Sequence, residues 1–211
     1  MYSIDQIKTV HLEPTTKCQA RCPMCPRKIN GGILNPFMPL EEINLDKFKE
    51  WFSIEFLTQL NHFNLCGNLG DPIACQDILE IIKYIRQVNN NLTLRFHTNG
   101  SARTVEWWQE LAKYNVEVIF GIDGLEDTHS LYRINTNWNK IIENATAFIS
   151  SGGWARWDML IFRHNEHQIQ ECKKLSEEIG FKSFTIKHTS RFSDKKLDVL
   201  NDKGMTLYSI Y

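Results

Sequence analysis

Three of the six cysteines in this 211-residue chain, Cys18, Cys22 and Cys25, fall within eight residues. Thiolates are soft ligands that suit a zinc ion or an iron–sulfur cluster, and these three converge only if the loop between them curls around the bound group. A disulfide framework needs an even number of cysteines, and a structural zinc site takes four protein ligands. The spacing therefore predicts a metal centre that is one protein ligand short.

Zinc and an electron-transfer cluster are the alternatives to a catalytic centre. Structural zinc sites take two ligand pairs a dozen or more residues apart, and here His11 would have to reach over from a predicted strand. Pro23 and Pro26 each follow a cysteine, as in bacterial ferredoxins, but ferredoxin clusters take four cysteines. An open coordination position is typical of catalytic metal sites. We favour a four-iron cluster on three thiolates, with a non-catalytic zinc or iron–sulfur electron-transfer protein as the alternative.

The elements that position the cysteines alternate between strand and helix. Short apolar runs predict strands over 9–14, 62–66, 92–97, 116–122, 155–162 and 181–187. Amphipathic patterns predict helices over 45–57, 77–88, 105–114, 138–150 and 165–180. Helices between successive strands favour a parallel sheet, and a closed eight-stranded barrel needs about 250 residues. The predicted fold class is therefore α/β, a partial (β/α)6 TIM-like barrel with parallel strands.

Five chemically distinctive segments follow the carboxyl ends of predicted strands. They are the cysteine loop, "GNLGDP" at 67–72, "HTNG" at 97–100, "IDG" at 122–124 and "RHNE" at 163–166. Ligands bind at this edge in parallel α/β folds. Together the five segments predict one site at the carboxyl end of the sheet.

The overall charge and hydropathy exclude several classes of protein. The net charge is −1, with Lys+Arg 24 against Asp+Glu 25, so we expect no nucleic-acid partner. No apolar run reaches 18 residues, so we expect no membrane span, and the N-terminus "MYSIDQIKTV" is not typical of a signal peptide. We therefore expect a cytoplasmic, reducing location, where clustered cysteines are more often metal ligands or catalysts than bridges.

The Cys-x3-Cys-x2-Cys spacing after the first strand of a βα fold resembles the radical S-adenosylmethionine (radical SAM) enzymes. This resemblance implies that Cys18, Cys22 and Cys25 hold a [4Fe–4S] cluster whose fourth iron is chelated by S-adenosylmethionine. It also implies reductive cleavage of S-adenosylmethionine to methionine and a 5′-deoxyadenosyl radical, which abstracts a substrate hydrogen. An external one-electron reductant of the flavodoxin or ferredoxin type would then be a partner.

The resemblance also assigns cofactor contacts outside the cysteines. Gly70, Asp71 and Pro72 match the "GGEP"-like segment that holds the methionine amino group, with Asp for Glu and Leu69 for the first glycine. A carboxylate suits an ammonium group, although an ordinary turn would also explain "GDP". Met24 stands before the last cysteine, where members of the family often place an aromatic residue near the adenine.

The segment "IDGLEDTHSLYR" at 122–133 is similar to the fourth-strand segment of the SPASM-associated, peptide-modifying subgroup. The similarity implies that Asp123 lies near the ribose and that Arg133 reaches the methionine carboxylate, which a planar guanidinium suits. A solvated arginine at a helix start would also explain Arg133. Gly121 stands where members of the family often carry serine.

Two further segments extend this assignment around the rim. "HTNG" resembles the family's third-strand end, which implies that Thr98 and Asn99 line the pocket. Arg163 and Asn165 follow the fifth strand and could face the same rim, although a helix N-cap explains Asn165 equally well.

The resemblance predicts a core domain over 1–190 and a C-terminal tail over 191–211, either plain or the start of a reduced extension. No cysteine follows Cys172, so the C-terminal cysteine-rich region that holds auxiliary clusters in many SPASM-type relatives is missing from these residues. We expect Cys172 to lie in the core. From the fourth-strand resemblance alone, the expected substrate is a peptide or a small metabolite.

Overall fold

A computed structural model describes residues 3–189, 191 and 196–211. One sheet holds six parallel strands in chain order: β1 Thr9–Leu12, β2 His62–Leu65, β3 Thr93–Thr98, β4 Glu117–Gly121, β5 Trp154–Leu160 and β6 Ser183–Lys187. The α-helices are α1 Leu45–Trp51, α2 Ile54–Gln59, α3 Ile78–Val88, α4 Val105–Leu111, α5 Glu126–Tyr132, α6 Trp138–Ser150 and α7 Ile169–Ile179. In the described part of the chain β1 and β6 do not pair, so the sheet is open. The predicted partial (β/α)6 fold is confirmed.

The apolar core lies between the sheet and its helices. The strands contribute buried Phe96, Phe120 and Trp157, and the helices contribute buried Trp108 and Phe148. Successive strand residues point to opposite faces, so the intervening positions are directed away from this core. Those intervening positions include His97, Asp158 and Lys187, which line the cavity described below.

The helix predicted over 45–57 is two helices, α1 and α2. The chain leaves the helical conformation at Phe52, and the Ser53 hydroxyl accepts a hydrogen bond of 3.2 Å from the Phe56 N–H. A serine in this position starts a new helix. Asp77, which precedes α3, does not cap that helix through its side chain; its carboxylate accepts from the Leu45 N–H at the start of α1 (3.0 Å).

The C-terminal tail, for which the sequence predicts no element, forms an antiparallel hairpin of β7 Leu197–Leu200 and β8 Thr206–Ile210. Gly204 adopts a φ of 76° in the turn, a conformation that glycine enters without strain. Val199 and Ile210 are buried against the cysteine loop. The predicted domain boundary at residue 190 lies outside the described residues. Within the described residues, no helix is both long and apolar enough to cross a membrane.

Candidate functional site

A cavity of about 270 Å³ opens at the carboxyl edge of the sheet. Its lining includes nine of the eleven residues that the sequence nominates: Cys18, Cys22, Cys25, Gly70, Asp71, Thr98, Asn99, Asp123 and Arg133. Met24 and Pro72 are not part of the lining. The Met24 sulfur lies 3.7 Å from the Thr189 hydroxyl, and Pro72 is buried at the start of a short 3-10 helix, Pro72–Ala74.

The three clustered cysteines are free thiols that share this cavity. The Cys18 sulfur accepts from the Ala20 N–H at 3.3 Å and lies 3.6 Å from the Asn99 amide nitrogen. Burial raises the pKa of Cys18 to about 12 and also raises the pKa of Cys22. The Cys18 and Cys22 thiols are therefore neutral at pH 7, and a metal bound by them would have to displace their protons. Three free thiols at one cavity are a donor set that fits an iron–sulfur cluster.

Arg27, which the sequence analysis did not single out, holds the cysteine loop in its curled shape. Its side chain is buried. One guanidinium nitrogen donates to the carbonyls of Cys18 (2.5 Å) and Ala20 (3.2 Å), and another donates to that of Thr16 (3.3 Å). Carbonyls from three positions of the loop thus converge on one cation. The only feature of the local sequence that could have indicated this role is the position of the arginine two residues after Cys25.

Gly70 brings the loop after β2 against the base of the cysteine loop. A Cβ atom at Gly70 would lie 1.9 Å from the Thr15 carbonyl oxygen, a separation that real Cβ atoms essentially never show. The neighbouring Asp71 N–H donates to the Lys17 carbonyl at 2.9 Å. Backbone contact this close is available only to glycine.

The Asp71 carboxylate joins the loops that follow β2 and β3. It accepts from the Asn99 backbone N–H (2.7 Å), the Asn99 side-chain amide (2.6 Å) and the Ile73 N–H (3.1 Å). Burial raises the pKa of Asp71 to about 6, because desolvation outweighs the hydrogen bonds from Asn99 and Ile73 that favour the ionised form. Asp71 is thus a buried acid at the cavity wall.

Asp123 and Arg133 form an ion pair in the cavity lining. The Arg133 Nε donates to one Asp123 oxygen at 2.6 Å, and the Leu160 N–H donates to the other at 2.7 Å. Arg133 follows the end of α5 and is largely buried, so it is not a solvated arginine at a helix start. Gly121 makes room for it, because a Cβ there would lie 2.7 Å from a guanidinium nitrogen.

Arg163 and Asn165 lie outside the cavity lining. The Asn165 side chain accepts from the Phe162 N–H at 2.8 Å and donates to the Leu160 carbonyl at 2.9 Å, so it shapes the turn after β5. The Arg163 guanidinium lies over the Tyr211 ring, 5.5 Å from its centroid. The sequence suggested that both could face the rim of the site, and neither is part of the cavity lining.

Sequence reasoning missed the polar residues on the cavity floor: His97, Asp158, Lys187 and Arg191. The first three come from β3, β5 and β6 at positions that point away from the apolar core. The polar alternation of these strands is the signal that could have found them. Among the described residues, no group of three or more His, Cys, Asp or Glu side chains, the three clustered cysteines included, is arranged to hold a single metal ion.

Comparison with known proteins gives a family and a fold. Residues 12–176 match the family model described as "Radical SAM superfamily". Streptococcus suis SuiB is similar in structure at a TM-score of 0.70 and 16% identity, over 92% of this chain and 42% of SuiB. The AdoMet-bound anSMEcpe is similar at a TM-score of 0.68 and 18% identity, over 85% of this chain and 49% of that protein. No curated protein matches the chain by sequence. The matched part of this chain covers less than half of each of these two proteins, and the likeness to them is one of fold.

Proposed function

This chain belongs to the radical SAM superfamily, enzymes that use a [4Fe–4S] cluster and S-adenosylmethionine, and we propose that Cys18, Cys22 and Cys25 hold that cluster. The observation that carries the proposal is that three free thiols line the same cavity as Asp71, Asp123 and Arg133. When bound, the reduced cluster supplies the electron that cleaves S-adenosylmethionine to the 5′-deoxyadenosyl radical, which abstracts a substrate hydrogen.

The chain's own residues bind and orient S-adenosylmethionine in this proposal. Arg133 faces the methionine carboxylate, and the 2.6 Å bond to Asp123 fixes the direction of its guanidinium. Asp71 and the adjacent backbone at Gly70 face the methionine ammonium, where a carboxylate offers charge complementarity. The other proposed contacts are Asp123 near the ribose and Met24, Pro72, Thr98 and Asn99 around the rest of the cofactor.

A peptide is the substrate class that the comparisons favour. SuiB was solved bound to the precursor peptide SuiA, and anSMEcpe was solved with AdoMet and a Cp18Cys peptide. We extend this to the present chain as a proposal, with a small metabolite as the second candidate. The electron would come from an external reductant of the flavodoxin or ferredoxin type, in a reducing cytoplasmic environment.

The test is anaerobic reconstitution with iron and sulfide. The chain should bind about four irons and should release 5′-deoxyadenosine from S-adenosylmethionine and dithionite. The Cys22→Ala variant should lose the cluster, whereas Cys66→Ala, a matched change outside the cavity lining, should keep it. Stoichiometric zinc without 5′-deoxyadenosine, or full iron content in Cys22→Ala, would contradict the proposal and favour the non-catalytic alternative.

The role of Arg133 is tested separately from cluster assembly. Arg133→Ala should weaken S-adenosylmethionine binding by roughly tenfold to a hundredfold, the usual effect of losing a charged hydrogen bond, while the iron content stays unchanged. Arg163→Ala is the matched control, because Arg163 is outside the cavity lining. Equal affinities of the Arg133→Ala and Arg163→Ala variants would refute the role given to Arg133.

A further inference from the structure

The cavity floor presents polar side chains from three neighbouring strands. His97 on β3, Asp158 on β5 and Lys187 on β6 line it together with Arg191, which follows β6. None of these four side chains is needed to explain cluster or S-adenosylmethionine binding. They therefore constitute a separate surface within the same cavity.

The carboxylates on and beside the floor are already matched by arginines. Arg156 donates to both oxygens of Asp158, at 2.7 and 3.1 Å. Glu117 pairs with Arg95 at 2.8 Å and lies 3.8 Å from Arg156. Two arginines thus balance these two acids.

Lys187 is the most weakly paired cation of this network, in an ion pair with Asp158 but without a hydrogen bond to it. Its closest carboxylate oxygen belongs to Asp158 at 3.7 Å, beyond hydrogen-bond distance, and its side chain is 48% exposed. Arg191 donates to the Asn68 side-chain oxygen at 3.3 Å, and no carboxylate of the described residues lies within 4.0 Å of it. Two cations therefore face the cavity without a hydrogen-bonded counter-charge from the described part of the chain.

His97 does not add to this positive charge at neutral pH. Burial lowers its pKa, and the nearby Arg156 cation lowers it further, while Asp158 opposes the shift. A neutral imidazole in the lining offers one hydrogen-bond donor and one acceptor. The net charge of the floor thus comes from Lys187 and Arg191.

We propose that Lys187 and Arg191 bind a carboxylate group of the substrate on the floor of this cavity. The inference rests on the proposed function only in taking the cavity as the site of the reaction. Ammonium and guanidinium groups with free donors bind carboxylates through charge-assisted hydrogen bonds. The carboxylate could belong to an acidic residue of a peptide or to a small carboxylic acid.

The test compares ligands that differ only in charge. Capped Gly-Gly-Glu-Gly-Gly and its Gln counterpart form one pair of probes, and glutarate and glutaramide form the other. Binding is measured by calorimetry on the reconstituted protein with S-adenosylmethionine and no reductant, so that no turnover occurs. At least one acid should bind about tenfold tighter than its amide.

Lys187→Gln should reduce this preference to near unity, and Lys187→Arg, which keeps the cation, should retain most of it. Lys174→Gln is the matched control, because it removes the same charge from an exposed position on α7 outside the lining. Thermal unfolding confirms that the variants are folded. Preference for the Glu peptide alone would identify a peptide substrate, and preference for glutarate alone would identify a small acid.

Equal binding of acid and amide, undetectable binding of all four probes, or equal preferences in Lys187→Gln and Lys174→Gln would overturn the inference. The two proposals fail separately. A chain that releases 5′-deoxyadenosine but shows no acid preference refutes the carboxylate site alone. A chain that prefers the acid but assembles no cluster refutes the proposed function alone.

Discussion

Replacing Gly70 with alanine tests whether the loop after β2 sets the position of the cysteines. The added Cβ would lie 1.9 Å from the Thr15 carbonyl oxygen and 3.0 Å from that of Lys17. Ordinary van der Waals contact begins at 3.4 Å, so the two backbones must separate by about 1.5 Å. Both obstacles are backbone atoms, which cannot rotate away as a side chain would. Overpacking of this kind costs typically 1–3 kcal/mol.

The displaced segment ends directly before Cys18, so the loss should be visible in the metal site as well as in stability. We expect Gly70→Ala to bind less iron after anaerobic reconstitution and to bind S-adenosylmethionine more weakly than the wild type. Gly152→Ala is the control, because its Cβ would meet nothing within 4 Å and its cost comes only from a φ of 92°. That variant should lose stability but keep its iron. Full iron content and unchanged affinity in Gly70→Ala would refute the close contact between the two loops.

Two further variants test buried polar contacts around the cavity. Arg27→Met should lower the free energy of unfolding by about 3 kcal/mol and reduce the iron content, because it leaves the carbonyls of the cysteine loop without their donor; normal iron content would contradict the role of Arg27. The His129 ring nitrogen accepts a hydrogen bond from the Asp123 N–H. Burial and the nearby Arg133 charge lower the pKa of His129 to about 3 in the folded chain. Between about pH 6.5 and pH 3 the unfolded chain therefore binds more protons at this residue than the folded chain does. The stability that its neutral form contributes is complete above about pH 6.5 and is lost on acidification, by at most about 1.4 kcal/mol per pH unit. His129→Asn should flatten denaturant-measured stability over that range, and an unchanged pH slope would show that His129 does not titrate as described.

The fold is readable from the sequence because its signals are local. Each strand is a short apolar run and each helix has its own apolar face, so the order of elements follows from nearby residues. The ends of a helix are harder to predict from the sequence where two local signals compete. The apolar spacing from Leu45 to Phe56 continues across the point at which Ser53 starts a new helix. The hairpin of β7 and β8 was missed because no helix separates its two strands, so it departs from the strand–helix alternation seen in the rest of the chain.

The residues of the site likewise fall into those that a local sequence signal indicates and those that it does not. Cysteine spacing and the segments at strand ends are local, and the structure brings nine of the eleven nominated residues to one cavity. The ion pairs on and beside the cavity floor, which were also missed, join residues that are distant in the sequence. Arg156 lies 39 positions from Glu117, and Lys187 lies 29 from Asp158. No spacing in a single sequence encodes such a pairing, since it depends on the register of β4, β5 and β6.

The cysteine loop is held from several directions by hydrogen bonds to other residues of the chain, which are made whether or not a metal or cofactor is bound. Arg27 binds its carbonyls from within, the Asp71 N–H binds the Lys17 carbonyl from the β2 loop, and the Asn99 side chain accepts from Gln19 at 2.7 Å. Each contact reduces the conformational entropy that the loop would otherwise lose on binding a cluster. An ordered loop therefore binds more tightly than the same three thiols on a flexible segment, for the same ligand bonds. In our proposal the cysteine spacing specifies which atoms bind iron, and the contacts of Arg27, Asp71 and Asn99 strengthen that binding by ordering the loop.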